Sequence, residues 1–185
     1  MFIQTEATPN PNTMKFLPGQ DVLGTGTAFF TDRETAMKSP LAMALFEIEN
    51  VRAVFYGSDF ITVTKAEHAT WEVMKPIILT TVMEHYTSGN PLISDTPIVR
   101  TVKSDYSAEE QEIVEQIKEL IDTRVRPAVA MDGGDIVFHA FENGIVKLEM
   151  HGACSGCPSS TATLKQGIEN MLKHYVPEVI AVEPV

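Results

Sequence analysis

Cysteine is scarce in this chain: there are two in 185 residues, Cys154 and Cys157. A disulfide framework needs more pairs than that. A mononuclear zinc or iron–sulfur centre closed by thiolate sulfur alone needs four ligands. One chain supplies half of them, so an all-thiolate centre on this pair must be shared between two chains. Basic charge is also short, with 14 Lys and Arg against 25 Asp and Glu and a net charge of −11. The deficit is −5 over residues 1–95 and −6 over residues 96–185. Neither half carries a basic footprint, which argues against a nucleic-acid partner. An acidic surface of this kind serves solubility. No apolar run approaches the roughly 20 residues of a membrane span, so no membrane partner is expected. The start, Met1-Phe-Ile-Gln-Thr-Glu6, has neither the basic and apolar regions of a secretory signal nor an Arg-rich transit pattern. A cytoplasmic protein, or the processed form of an imported one, is expected. No Ser-His-Asp constellation, phosphate-binding loop or dinucleotide-binding glycine pattern occurs, and nothing argues for a substrate pocket.

What is present reads as a globular chain, 44% hydrophobic and 21% charged, of a length that suits one ordinary domain or two small ones. In the first half, Met1–Thr5 and Thr13–Leu17 are strand candidates, separated by Thr8-Pro-Asn-Pro-Asn12, whose prolines exclude helix interior and central strand. Residues 20–35 are Gly/Thr-rich with an apolar patch at Ala28-Phe-Phe30. Ser39-Pro40 fits an N-cap followed by proline at the first helical position, opening a helix to about Phe46. Val51–Tyr56 and Phe60–Thr64 flank Gly57-Ser-Asp59 as a hairpin. Thr70 can cap a helix to about Ser88, with Trp71, Met74, Ile78 and Val82 as a core stripe and Pro76 predicting a kink or a late start.

Turn chemistry at Gly89-Asn-Pro91, Ser94-Asp-Thr-Pro97 and Ser104-Asp105 marks a linker over 91–106, separating a domain over 1–90 from one over 107–185. Ser107-Ala-Glu-Glu110 is a capping box. It opens a helix with Ile113, Ile117, Leu120 and Ile121 inward, and Arg126-Pro127 is expected to disturb its end. Asp132-Gly-Gly-Asp135 reads as a turn. Asp135–Phe141 and Ile145–Met150 are strand candidates joined through Asn143-Gly144, a strong hairpin signal. After Cys154-Ser-Gly-Cys157, a helix runs to about Tyr175, with Leu164, Ile168, Met171, Leu172 and Tyr175 inward. Val179–Val182 is a final strand. The fold class is α+β: two small domains, the second in α-β-β-α-β order.

The two-residue spacer lets both thiolates converge on one metal or cluster. Gly152 and Gly156 allow a tight loop. The helix after Cys157 offers its positive end, which is expected to lower thiol pKa. Ser159, Ser160 and Thr161 are read as caps for that helix. From the residues alone, three chemistries stay open: a thiol–disulfide couple in one chain, zinc completed by two further ligands, or a cluster bridging a homodimer. Two unreactive cysteines are the bland alternative. His151 could reach the pair but reads first as a strand end, and His68, His85, His139 and His174 show no metal spacing.

Arg126-Pro127, Asp132-Gly-Gly-Asp135, Asn143-Gly144, Gly152-Ala-Cys-Ser-Gly-Cys-Pro-Ser-Ser160 and Thr163-Leu-Lys165 together resemble the Nfu-type domain, similar to the C-terminal part of the nitrogen-fixation protein NifU. The likeness covers about residues 107–183. Ile3-Gln-Thr-Glu6, Thr8-Pro-Asn-Pro-Asn12 and Lys15-Phe16 resemble the N-terminal domain that precedes it in mitochondrial and related bacterial Nfu proteins. The resemblance implies a non-enzymatic carrier. It implies one [4Fe-4S] cluster per homodimer, ligated by Cys154 and Cys157 of each subunit. The cluster would be received from upstream assembly proteins and passed to apo iron–sulfur proteins. The location implied is bacterial cytoplasm, or the mitochondrial matrix for a processed chain. A thiol–disulfide oxidoreductase using the same two cysteines is the alternative. Residues 1–90 are expected to dock partners and to ligate nothing.

Overall fold

The computed structural model describes residues 2–94, 106–156 and 158–185, the side chains of 158–160 excepted. Much of the expected linker lies outside the described residues. The chain divides into two compact units, Met1–Ile98 and Val99–Val185.

The first unit is an antiparallel five-stranded sheet carrying helices. Its strands are β1 (Gln4–Ala7), β2 (Thr13–Leu17), β3 (Ala28–Phe30), β4 (Val51–Tyr56) and β5 (Ile61–Lys65), in the order β1-β2-β5-β4-β3. The first strand begins later than Met1–Thr5, because its register pairs Gln4 with Leu17 and Ala7 with Met14. Within the Gly/Thr-rich stretch, Ala28–Phe30 pairs with Val54–Tyr56 as an edge strand. Asp32 then caps a one-turn helix, α1 (Arg33–Ala36). Ser39 caps α2 (Pro40–Phe46) through the Ala42 amide, as expected, and its hydroxyl also meets the buried Tyr56 hydroxyl at 2.7 Å. Helix α3 spans Trp71–Ser88, passing through Pro76 without a late start and ending on Gly89 in the left-handed region (φ 68°). Thr70 occupies the cap position but its side chain makes no capping bond. Met74, Ile78 and Val82 join Phe16, Leu41, Ile61 and Val63 in one core, with Trp71 packed at its margin. The Trp71 indole donates to the Pro11 carbonyl at 3.0 Å, which ties the proline loop to α3.

The second unit keeps the expected α-β-β-α-β order. Helix α4 (Ala108–Leu120) starts on the Ser107/Glu110 capping box, with both reciprocal bonds made. It does not break at Arg126-Pro127. A π-turn over Ile121–Val125 carries the chain into α5 (Arg126–Met131), and the Arg126 amide donates to the Ile121 carbonyl. Proline lacks the amide that would continue an α-helical ladder. The wider turn absorbs one residue there and keeps the helical path going.

Strands β6 (Gly134–Glu142) and β7 (Ile145–Gly152) form the hairpin, turning through Asn143 and Gly144, both at positive φ. The register slips between Phe138 and Ala140. That bulge resets the alternation, so Ile136 and Phe141 both reach the core despite their odd spacing.

Helix α6 (Pro158–Tyr175) buries Ile168 and Leu172, with Leu164 and Met171 packed partly beside them. Tyr175, expected inside, is 47% exposed and lies under the Arg124 guanidinium, while Val176 fills the core position. The final strand is β8 (Ala181–Pro184), two residues later than Val179–Val182. It runs parallel to β7, pairing Ile145 with Ala181 and Leu148 with Pro184. Ile180 is already committed, its amide donating to the Gly144 carbonyl at 2.7 Å.

Candidate metal centre

Strand β7 delivers the cysteine loop. Gly152 ends it at φ 62°, directly opposite Gly134 in the hairpin register. A left-handed backbone here is open to glycine at little cost. The Ser155 amide then donates to the Gly152 carbonyl at 3.1 Å, closing a turn around Cys154. The Ala153 amide donates to the Gly133 carbonyl at 3.1 Å, so the loop is stitched to the start of β6. From the other side, the Thr161 hydroxyl on α6 donates to the Cys154 carbonyl at 3.2 Å. The expected capping role of Thr161 is thus replaced by a tie from the helix back to the loop.

Cys154 is 6% exposed and belongs to the second unit's core cluster. Its sulfur rests against Gly134. A Cβ on Gly134 would collide with Cys154 Sγ and would stand 2.9 Å from the His151 carbonyl and 3.0 Å from the Cys154 amide. Hence Asp132-Gly-Gly-Asp135 is more than a turn. Asp132 and Gly133 turn the chain, while Gly134 and Asp135 are already strand and form the floor of the cysteine site.

Burial pushes the Cys154 thiol up to about 12, and the negative charges of Asp132 and Asp135 add to the shift. This is opposite to the lowering expected from the helix N-terminus. A thiolate in this pocket loses its hydration and has the Asp132 and Asp135 carboxylates nearby. Metal ions compete directly for the thiolate, so occupancy and proton release are coupled. Cys157 lies outside the described residues.

Behind Gly134 stands an ion pair that sequence reasoning misses. Arg126 forks onto Asp135, Nε to Oδ1 at 2.8 Å and Nη2 to Oδ2 at 3.0 Å. Its third contact, Nη1 to Asp122 Oδ1, is 3.1 Å. Asp135 is 3% exposed and its Oδ1 also accepts from the Ile136 amide. Its carboxylate raises the Arg126 pKa above its ordinary value, chiefly through that hydrogen bond. The two residues are nine apart and on different elements, so no periodicity connects them.

Among the described residues, no group of three or more His, Cys, Asp or Glu side chains is placed to hold a metal. His151 stands opposite Asp135 at the end of β7, its Nε2 3.1 Å from Glu149 Oε1. His68 bonds Asn50, His85 is buried in the first unit, and His174 stacks edge-on with Tyr175. No helix among the described residues is long and apolar enough to cross a membrane.

Residues 3–89 match the family described as "Scaffold protein Nfu/NifU N terminal", and residues 117–183 match the "NifU-like domain". "NifU-like protein 5, mitochondrial" of Arabidopsis thaliana is 54% identical, over 99% of this chain and 67% of its own length. "NFU1 iron-sulfur cluster scaffold homolog, mitochondrial" of Drosophila ananassae is 54% identical, over 100% of this chain and 64% of its own length. The chain therefore spans about two thirds of these relatives. Among solved structures, a NifU-like protein of Saccharomyces cerevisiae is 29% identical with a TM-score of 0.47, covering 51% of this chain and 86% of that one.

Proposed function

Because this chain belongs to the Nfu family, an Nfu N-terminal domain followed by a NifU-like domain, we propose that it is an iron–sulfur cluster scaffold and carrier. Cys154 and Cys157 of two copies ligate one [4Fe-4S] cluster, which is received from assembly proteins and handed to apo iron–sulfur proteins. The cluster is cargo, so the chain acts without being an enzyme. Relatives named as iron–sulfur cluster scaffold homologues and as mitochondrial support both the role and a place in the mitochondrial matrix.

The observation that carries the reading is the seat of Cys154. It is one of two cysteines in the chain, and its loop is tied to β6 through the Ala153 amide and to α6 through the Thr161 hydroxyl. Soft thiolate ligands suit iron–sulfur clusters. Two ligands per chain leave the sphere half filled, and a second copy completes it. Acceptor thiolates then replace those of the carrier in turn, so iron is held throughout. A thiol–disulfide oxidoreductase fits less well, because the cysteine pair follows the β6–β7 hairpin in an α-β-β-α-β order, whereas the thioredoxin-like redox motif goes with a βαβ unit.

Anaerobic reconstitution tests the proposal. It should give half a cluster's iron and acid-labile sulfide per chain, with a dimer in solution. Zinc in place of iron, or a complete cluster on a monomer, would overturn it. Residues 1–90 are proposed to dock partners. Removing them should leave cluster binding intact and slow delivery to some acceptors, and equal delivery rates would refute that role.

A further inference from the structure

We infer that Arg126 is a positioning residue for the cysteine loop, acting through Asp135 and Gly134. The inference deepens the scaffold reading and rests on it for its functional consequence. Its structural basis is a continuous set of contacts. The π-turn over Ile121–Val125 re-aims the helix so that Arg126 meets the first residues of β6. The guanidinium grips both oxygens of Asp135, and a two-point fork fixes the plane of a carboxylate where a single bond would leave it free to swivel. The adjacent residue, Gly134, is in contact with Cys154 Sγ, and Gly133 accepts the Ala153 amide. A displacement of Asp135 is therefore a displacement of the surface on which Cys154 rests.

The ion pair is costly to break from one side. Asp135 is almost fully buried, and removing the arginine leaves a desolvated carboxylate with only the Ile136 amide and its other local contacts to hold it. The buried carboxylate would then draw in water or shift outward, and either response opens the floor of the site. Arg126 itself reaches solvent, its side chain 36% exposed, so the pair sits at the margin of the core rather than deep within it. This margin is also the end of the sheet that carries Gly152, which pairs with Gly134. In this geometry the arginine holds the Gly133-Gly134 step against the loop, so that Cys154 is presented in one orientation to incoming iron.

The test uses the full chain and two readouts. In apo protein carrying Cys157→Ser, Cys154 is the only thiol, and its alkylation under native conditions reports opening of the loop. Arg126→Gln should speed that alkylation about tenfold, the change that about 1.4 kcal/mol of local opening produces. Arg126→Lys, which keeps the charge but loses the fork, should fall between. Arg126→Gln combined with Asp135→Asn should be no faster than the quicker single variant, since both remove the same interaction. In reconstituted protein with both cysteines, the half-life of the visible absorption towards a chelator should shorten by a similar factor in Arg126→Gln. An Arg126→Gln protein with a lowered unfolding midpoint but parental Cys154 alkylation and parental cluster lifetime would overturn the inference, leaving a general stabilising ion pair. If Arg126→Gln does not fold by far-UV circular dichroism, Arg126→Lys carries the same comparison with the same two outcomes. Failure of the parent protein to take up iron would sink the scaffold reading alone, because the apo alkylation series would still decide the positioning role.

Discussion

Gly134→Ala adds one methyl group where the site has no room for it. The new carbon would stand 2.9 Å from the His151 carbonyl and 3.0 Å from the Cys154 amide, in addition to colliding with the Cys154 sulfur. Ordinary contact for an added Cβ begins at 3.4 Å, so the two backbone atoms must each give by a few tenths of an ångström. The sulfur can swing aside by rotation. The backbone atoms cannot, because the same stretch is held by the Gly134–Gly152 pairing and by the Ala153 bond to Gly133. Overpacking of this kind costs about 1–3 kcal/mol. For a unit the size of Val99–Val185, about 2 kcal/mol corresponds to a fall in midpoint of about 8–16 °C. The two units can be followed separately. Trp71 is the only tryptophan and lies in the first unit, so its fluorescence follows that unit, while far-UV circular dichroism follows both. Gly134→Ala should lower the circular-dichroism transition of the second unit, leave the tryptophan transition in place, and speed Cys154 alkylation. A variant with unchanged transitions and unchanged Cys154 protection would refute the reasoning that glycine is required there to seat the cysteine.

Gly167 gives the opposite expectation: it lies within α6 with open space around it. Gly167→Ala should therefore raise the second unit's stability by about 0.5–1 kcal/mol in denaturant unfolding. Ser107→Ala removes the hydroxyl that caps the Glu110 amide and puts no acceptor in its place, and it should cost about 1 kcal/mol in the same assay. Burial favours the neutral Cys154 thiol and moves its pKa up to about 12. Its alkylation in apo Cys157→Ser protein should accordingly be slow at about pH 8 and keep rising, about tenfold per pH unit, through and beyond the ordinary thiol range, whereas a rate that levels off near about 8.5 would contradict a buried, carboxylate-flanked pocket.

Several self-contained local signals were legible, although Thr70 occupies its cap position without making the capping bond. Ser107 with Glu110, Ser39 with Pro40, and Asn143 with Gly144 each specify a cap or a turn through neighbours in sequence, and each is found in place. The α-β-β-α-β order followed from them. What escaped depends on contacts far apart in the chain. Arg126-Pro127 reads as a helix breaker, yet the π-turn lets the helix continue and α5 brings Arg126 to Asp135. Val176 displaces Tyr175 from the core at the end of α6, where Arg124 offers the tyrosine ring a surface partner. Short edge strand β3 has too few residues to announce itself and exists by pairing with β4. Cys154 was legible as a candidate ligand from spacing alone. Its burial was not, since the carboxylates and the glycine floor that set its chemistry come from the opposite strand of the hairpin and the turn before it.

If each chain holds half of a sulfur coordination sphere, the most direct measurement is the mass in solution of anaerobically reconstituted protein. It is taken together with visible absorption and iron content, for the parent and for the Cys154→Ala, Cys157→Ala double variant. The account predicts a coloured dimer for the parent, with half a cluster's iron per chain, and a colourless variant without iron. A variant that still dimerises and keeps its colour and full iron content would contradict it.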